Sequence, residues 1–232
     1  MTSKLVSPDR LPELLRLMPK AELHMHIEGS LEPELMFALA KRNGVSMAYP
    51  DVASLRKAYV FDNLQDFLDI YHEGTLVLKT EQDFYDMTRA YLARAAADNV
   101  LHTEIFFDTQ THTAHGLSSD TVINGLHRAC VDAQAELGIS ASLILCFLRH
   151  LSEEAAFESL EQAQPLLHKI VAWDWPPAKW GIRLKSLPAF LHAVENWVCA
   201  PWLMRAKRAP LPTFGARWMC SKWSVLTMAC KP

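Results

Sequence analysis

Two histidines with one residue between them have the spacing that most directly points to chemistry in this chain. His24 and His26 lie in the stretch Pro19-Lys20-Ala21-Glu22-Leu23-His24-Met25-His26-Ile27-Glu28-Gly29-Ser30. In an extended strand, residues i and i+2 face the same side. Two imidazoles on one face can share a zinc ion, which accepts histidine nitrogens in tetrahedral geometry. Bound zinc lowers the pKa of a water ligand toward neutrality and makes it a nucleophile. A bare His-x-His also occurs where both rings are only structural, so its place in the fold decides between the two readings. Here the run ends at Glu28-Gly29, and ligands bind at the C-terminal ends of parallel strands.

The elements that would position this pair are readable up to about residue 172. Leu11, Leu14, Leu15 and Met18 repeat at helical spacing. Leu31 to Arg42 has a helical pattern closed by Asn43-Gly44. Helices are expected over Asn63 to Leu78, Thr80 to Ala97, Ser119 to Leu137 and Ser152 to about Leu167. Short apolar runs lie between them: Ala21–His26, Leu101–Phe107, Ile139–Phe147 and Lys169–Ala172. Strands alternating with helices imply βα units and a parallel sheet. Thr111 to Gly116 reads as a loop, which would put His112 and His115 on the surface. Cys146 falls in a buried strand run and is expected to be inert.

The stretch around the histidines resembles the adenosine/adenine deaminase family of zinc hydrolases. The similarity spans about residues 10–172 and includes ELHMHIEGSLEPEL, NLQDFLDIY, HTEIFFDTQTHT and LILCFLRHLSEE. The last two blocks look most like the bacterial adenine deaminase branch. The resemblance implies a (β/α)8 TIM barrel, of which these residues would form the N-terminal half, about four βα units. It also implies one Zn2+, held by three His and one Asp, whose water attacks C6 of a purine and releases ammonia. His24 and His26 match the first two zinc ligands. Glu28 matches an acidic position that is Asp in adenosine-specific members, where it contacts the ribose. The longer Glu resembles the adenine branch and could fill the ribose space, although an acidic residue also suits the start of a following helix. Leu64, Phe67 and Leu68 match a hydrophobic gate over the pocket, at a spacing that core residues share. The substrate expected is a small purine, adenine before adenosine.

Composition bounds the remaining possibilities. The 232 residues are 50% apolar and 21% charged, enough for a buried core. A net charge of −3 leaves no electrostatic footprint for nucleic acid. No long uncharged apolar run predicts a membrane span, and no leader-like apolar stretch opens the chain. Five cysteines without close spacing do not form a disulfide framework, so a cytoplasmic location is expected. The H-x-E…P-C-x-x-C signature of cytidine-type deaminases is absent.

The composition breaks near residue 172. All seven Trp, seven of the 13 Pro and three of the five Cys lie in 173–232, whereas nine of the ten His precede it. The first segment holds 14 Lys+Arg against 24 Asp+Glu, and the second holds 9 against 2. The family blocks that would supply the third zinc His and the catalytic Glu are absent, so no general acid is assigned and weak or absent zinc binding is expected. Three readings of 173–232 stand: a basic Trp-anchored module, a disordered tail, or a translation in the wrong frame. The genetic code bears on the last. Read from the third base of the Trp codon, the codons of Trp202 through Ala209 permit Ala-His-Ala-Gly-Glu-Glu-Gly. The same offset from Trp223 permits Glu-Arg-Phe-Asp-His-Gly, and from Trp173 it permits Gly-Leu-Ala-Ser-Ser-Glu-Val-Gly-His. All three resemble family blocks, in family order and in one frame, as the loss of a nucleotide near Ala172 and Trp173 would produce. A metal-dependent amidohydrolase acting on another amine, and a non-catalytic half-barrel that binds a partner, remain as alternatives.

Overall fold

The computed structural model describes residues 7–148 and 150–174. Four strands form one sheet in the order β1 (Lys20–His26), β2 (Val100–Asp108), β3 (Ser140–Cys146), β4 (Ala172–Asp174). β1 runs parallel to β2, and β3 runs parallel to β4. Sequence-adjacent parallel strands need long crossovers, and helices supply them. Between β1 and β2 lie α2 (Pro33–Asn43), α3 (Val52–Ala58), α4 (Leu64–Leu76) and α5 (Glu81–Ala97). A short helix α6 (Gln110–Thr113) and α7 (Ser119–Leu137) lead to β3, and α8 (Glu153–Ala163) leads to β4. A further helix, α1 (Leu11–Leu17), precedes β1.

The helix ends follow local chemistry. Gly44 adopts φ 64° after α2, the left-handed cap that a Cβ would strain. The Asn63 side chain accepts from the N–H groups of Gln65 and Asp66 and starts α4. Thr80 and Asp83 form a reciprocal capping box that opens α5. Asp51 caps α3, a helix for which the sequence showed no periodic signal. The helix expected from Ser152 to Leu167 stops at Ala163 and tightens into a 3-10 stretch, Gln164–Lys169. Pro165 explains the change, because it has no N–H to continue the helical ladder. The strand expected over Lys169–Ala172 is instead Ala172–Asp174. It crosses the compositional break, and Trp173 is buried in it at 4% exposure. The rest of the 173–232 tail lies outside the described residues.

The described residues divide into two compact units, one of 7–107 with 124–143 and the other of 108–123 with 144–174. In the first, Phe84, Met87 and Leu92 of α5 are buried together with Ile105 and Phe107 of β2 and Leu126 of α7. In the second, Ile144 and Leu145 of β3 are buried with Leu160 of α8 and Ala172 of β4. α1 buries none of its residues.

Candidate active site

The histidine pair depends on an irregularity in β1. Glu22 pairs with Thr103 and Met25 with Ile105, so two residues of β1, Leu23 and His24, stand against the single Glu104. This is a bulge, and it resets which face each later side chain takes. Before it, Glu22 faces α5: Tyr91 Oη donates to Glu22 Oε2 at 2.5 Å and lies 2.8 Å from Thr103 Oγ1. Burial raises the Tyr91 pKa well above the ordinary phenol value, and the accepting Glu22 carboxylate raises it further, so this donor keeps its proton. Strict alternation from Glu22 would turn His24 and His26 toward α5 as well. The bulge places them on the opposite face, beside Phe106.

There the rings gather. His24 stacks on Phe106 with ring centroids 4.3 Å apart and planes 15° from parallel. The His26 ring is 5.5 Å from the same phenyl, and the two imidazole centroids are 5.5 Å apart. Two imidazoles on one tetrahedral zinc, with Zn–N of about 2.0–2.1 Å, would hold their centroids roughly 5 Å apart. Both histidines are exposed on this face. The pair therefore fits as two ligands of such an ion. Among the described residues no third His, Cys, Asp or Glu joins them in a cluster able to hold a metal.

Beyond His26 the chain turns through a 3-10 segment, Ile27–Ser30, which packs against α4 and α5. Arg94 of α5 donates to the Ser30 carbonyl at 3.0 Å and pairs with Glu32 at 3.2 Å, which anchors the turn. The turn buries Glu28, a carboxylate with only 4% exposure. Tyr71 of α4 donates from Oη to Glu28 Oε2 at 3.2 Å. Phe61, Phe67 and Tyr71 form a chain of rings with centroids 5.4 and 6.0 Å apart. These rings, with Glu28, Gly29 and Ile70, line a cavity of about 20 Å³, room for about one water. Nearby, Tyr59 donates to the Leu31 carbonyl at 3.1 Å, and burial raises its pKa.

Of the expected gate residues, Phe67 lines this cavity and is 38% exposed. Leu64 opens α4, and Leu68 is half-buried on it. Phe61 had not been singled out, nor had Tyr71 and the Glu22–Tyr91–Thr103 network, which join segments far apart in sequence. His112 corrects an expectation: it is buried at 1% exposure, not on the surface. The carboxylate of Asp108 accepts from Thr111 N–H at 2.7 Å, closing the turn into α6. That helical turn directs the ring inward. His115 is exposed, as expected. Cys130 and Cys146 are both buried, and burial pushes the Cys130 thiol up to about 12, which keeps it unreactive.

The adenosine deaminase family profile matches residues 19–200. The chain belongs to the adenosine deaminase family. It is 80% identical over 171 residues to the adenine deaminase of Albidiferax ferrireducens, covering 74% of this chain and 50% of that one. It is 60% identical over 200 residues to the adenine deaminase of Zymomonas mobilis, covering 81% and 59%. The chain thus spans about half the length of the curated relatives it matches. The crystal structure of an adenine deaminase from Arthrobacter aurescens superposes with a TM-score of 0.64 at 40% identity, covering 77% of this chain and 62% of that one. An amidohydrolase from Burkholderia ambifaria, crystallised with bound Zn, has the same fold at 20% identity and a TM-score of 0.64, covering 84% and 53%. The four-stranded α/β sheet is a partial barrel of this type.

Proposed function

We propose that residues 1–172 are the N-terminal half of a zinc-dependent adenine deaminase, which converts adenine to hypoxanthine and ammonia in cytoplasmic purine salvage. The observation that carries this reading is the gathering of His24 and His26 on one face of β1, with the buried Glu28 two residues beyond. His24 and His26 would supply two of the zinc's protein ligands. When bound, the ion supplies a water that is nucleophilic at neutral pH. Glu28 would accept an N–H of the purine, and its length would leave no room for a ribose. Phe67, with Leu64 and Leu68, would close over the base and exclude solvent. The bound Zn of the Burkholderia amidohydrolase and the names of the curated relatives support the metal and the substrate.

The reading also requires ligands and a general acid that the described residues do not provide. We propose that the 232-residue polypeptide alone does not deaminate adenine, and that 173–232 is read one nucleotide out of frame. Sequencing the gene tests the frame directly. The catalytic reading is tested without it, by fusing residues 1–172 to the C-terminal half of the Albidiferax ferrireducens relative. That chimera is expected to bind about one zinc and release ammonia from adenine far faster than from adenosine. His24→Ala with His26→Ala is expected to abolish both properties. Unchanged metal content and turnover in the double variant would refute the assignment.

A further inference from the structure

The hydrogen bond between Tyr71 and Glu28 joins α4 to the turn after β1 across 43 residues of sequence. A carboxylate with 4% exposure sits among Leu31, Met36, Phe67 and Ile70, where an unfixed charge is costly. The phenol meets it with a donor. Its ring is packed in turn, with Phe67 at 6.0 Å and His72 edge-on at 5.8 Å. The ring also passes over Gly29, where a Cβ would lie 3.9 Å from it. One oxygen of Glu28 is thereby held by a packed aromatic partner.

We propose that Tyr71 is a positioning residue for substrate choice. It holds Glu28 so that the carboxylate accepts the N–H of a free nucleobase's five-membered ring, a hydrogen that a nucleoside lacks. Discrimination then comes from geometry as well as bulk. A carboxylate free to rotate would tolerate a sugar in its place, whereas one pinned by the phenol keeps an acceptor where the sugar would attach. The inference rests on the reading of Glu28 as a substrate contact.

The test uses the zinc-loaded chimera described above, with Tyr71→Phe, Glu28→Gln and the double variant. Loss of a hydrogen bond to a charged group predicts that Tyr71→Phe raises KM for adenine about tenfold while kcat changes little. The preference for adenine over adenosine should fall with it. In the Glu28→Gln background, Tyr71→Phe should add little, because both changes remove one arrangement. The melting temperature of Tyr71→Phe should stay close to that of the parent, since the ring packing is retained. An unmoved KM and preference in Tyr71→Phe, or fully additive losses in the double variant, would overturn the positioning role alone. A parent chimera with no adenine turnover would overturn the functional reading, and this inference with it.

Discussion

Asp83 shows how far a single side chain can specify its surroundings. It is fully buried, and burial by itself would raise its pKa. Hydrogen bonds outweigh that cost. Its carboxylate accepts from Lys79 N–H at 2.9 Å, Thr80 N–H at 2.7 Å, Thr80 Oγ1 at 2.9 Å and Asn43 Nδ2 at 2.9 Å, and it pairs with Arg42. The net result is a pKa below the ordinary carboxylate value. A depressed folded-state pKa stabilises the protein above the unfolded value, near 3.8. That contribution fades as the pH falls below this value and through the lower folded one. Denaturant melts at pH 7 and pH 3 should therefore show the wild type losing stability in acid. Asp83→Asn removes the buried charge that these donors meet, while Arg42 keeps Asp86 at 2.7 Å, and should cost about 1–3 kcal/mol at neutral pH. The variant should also lose part of the acid dependence, and an identical acid limb would show that Asp83 is not its source.

At the scale of elements, close approach matters as much as polarity. Gly125 of α7 lies against α5 so tightly that a Cβ would come within 2.4 Å of the Glu81 carbonyl oxygen and 2.7 Å of Phe84 Cβ. Backbone cannot yield there without separating the helices. Gly125→Ala should destabilise by about 1–3 kcal/mol despite its better helix propensity, and equilibrium unfolding would reveal a neutral or stabilising outcome. The sequence pattern around this contact was legible: the helices expected over Thr80 to Ala97 and Ser119 to Leu137 are α5 and α7. So were β1 and β2, and so was the His-x-His pair, because period 2 is local. The bulge at Leu23 and His24 was not legible, since it is defined only by the register against Thr103 and Ile105. The partnership of Glu28 with Tyr71 escaped notice because 43 residues separate the two side chains. His112 was misjudged because a four-residue helix, α6, is too short to leave a periodic trace. Where a contact is set by distant backbone pairing, the residues that make it look ordinary in the chain.

The described residues leave much apolar surface in water. Among the described residues β1 and β4 each have one neighbouring strand, and a sheet edge offers unpaired N–H and C=O groups to any other chain. Ahead of β1 in the chain, α1 and the residue after it leave Leu11, Leu14, Leu15, Leu17 and Met18 between 42% and 55% exposed. Leu23 of β1 and Leu101 of β2 are also more than half exposed. In a closed barrel each strand has two neighbours and the inner face is filled by side chains. A protein of these 232 residues should therefore self-associate at micromolar concentration and bind a hydrophobic dye. Leu14→Glu with Leu17→Glu should lower dye binding and slow the association, whereas the chimera should be less prone to both because its barrel is complete. Light scattering against concentration separates the cases. A monomeric 232-residue protein with a cooperative melt and no dye binding would mean that these leucines are covered in solution. That outcome would count against the half-barrel reading and favour a self-sufficient domain built for another partner.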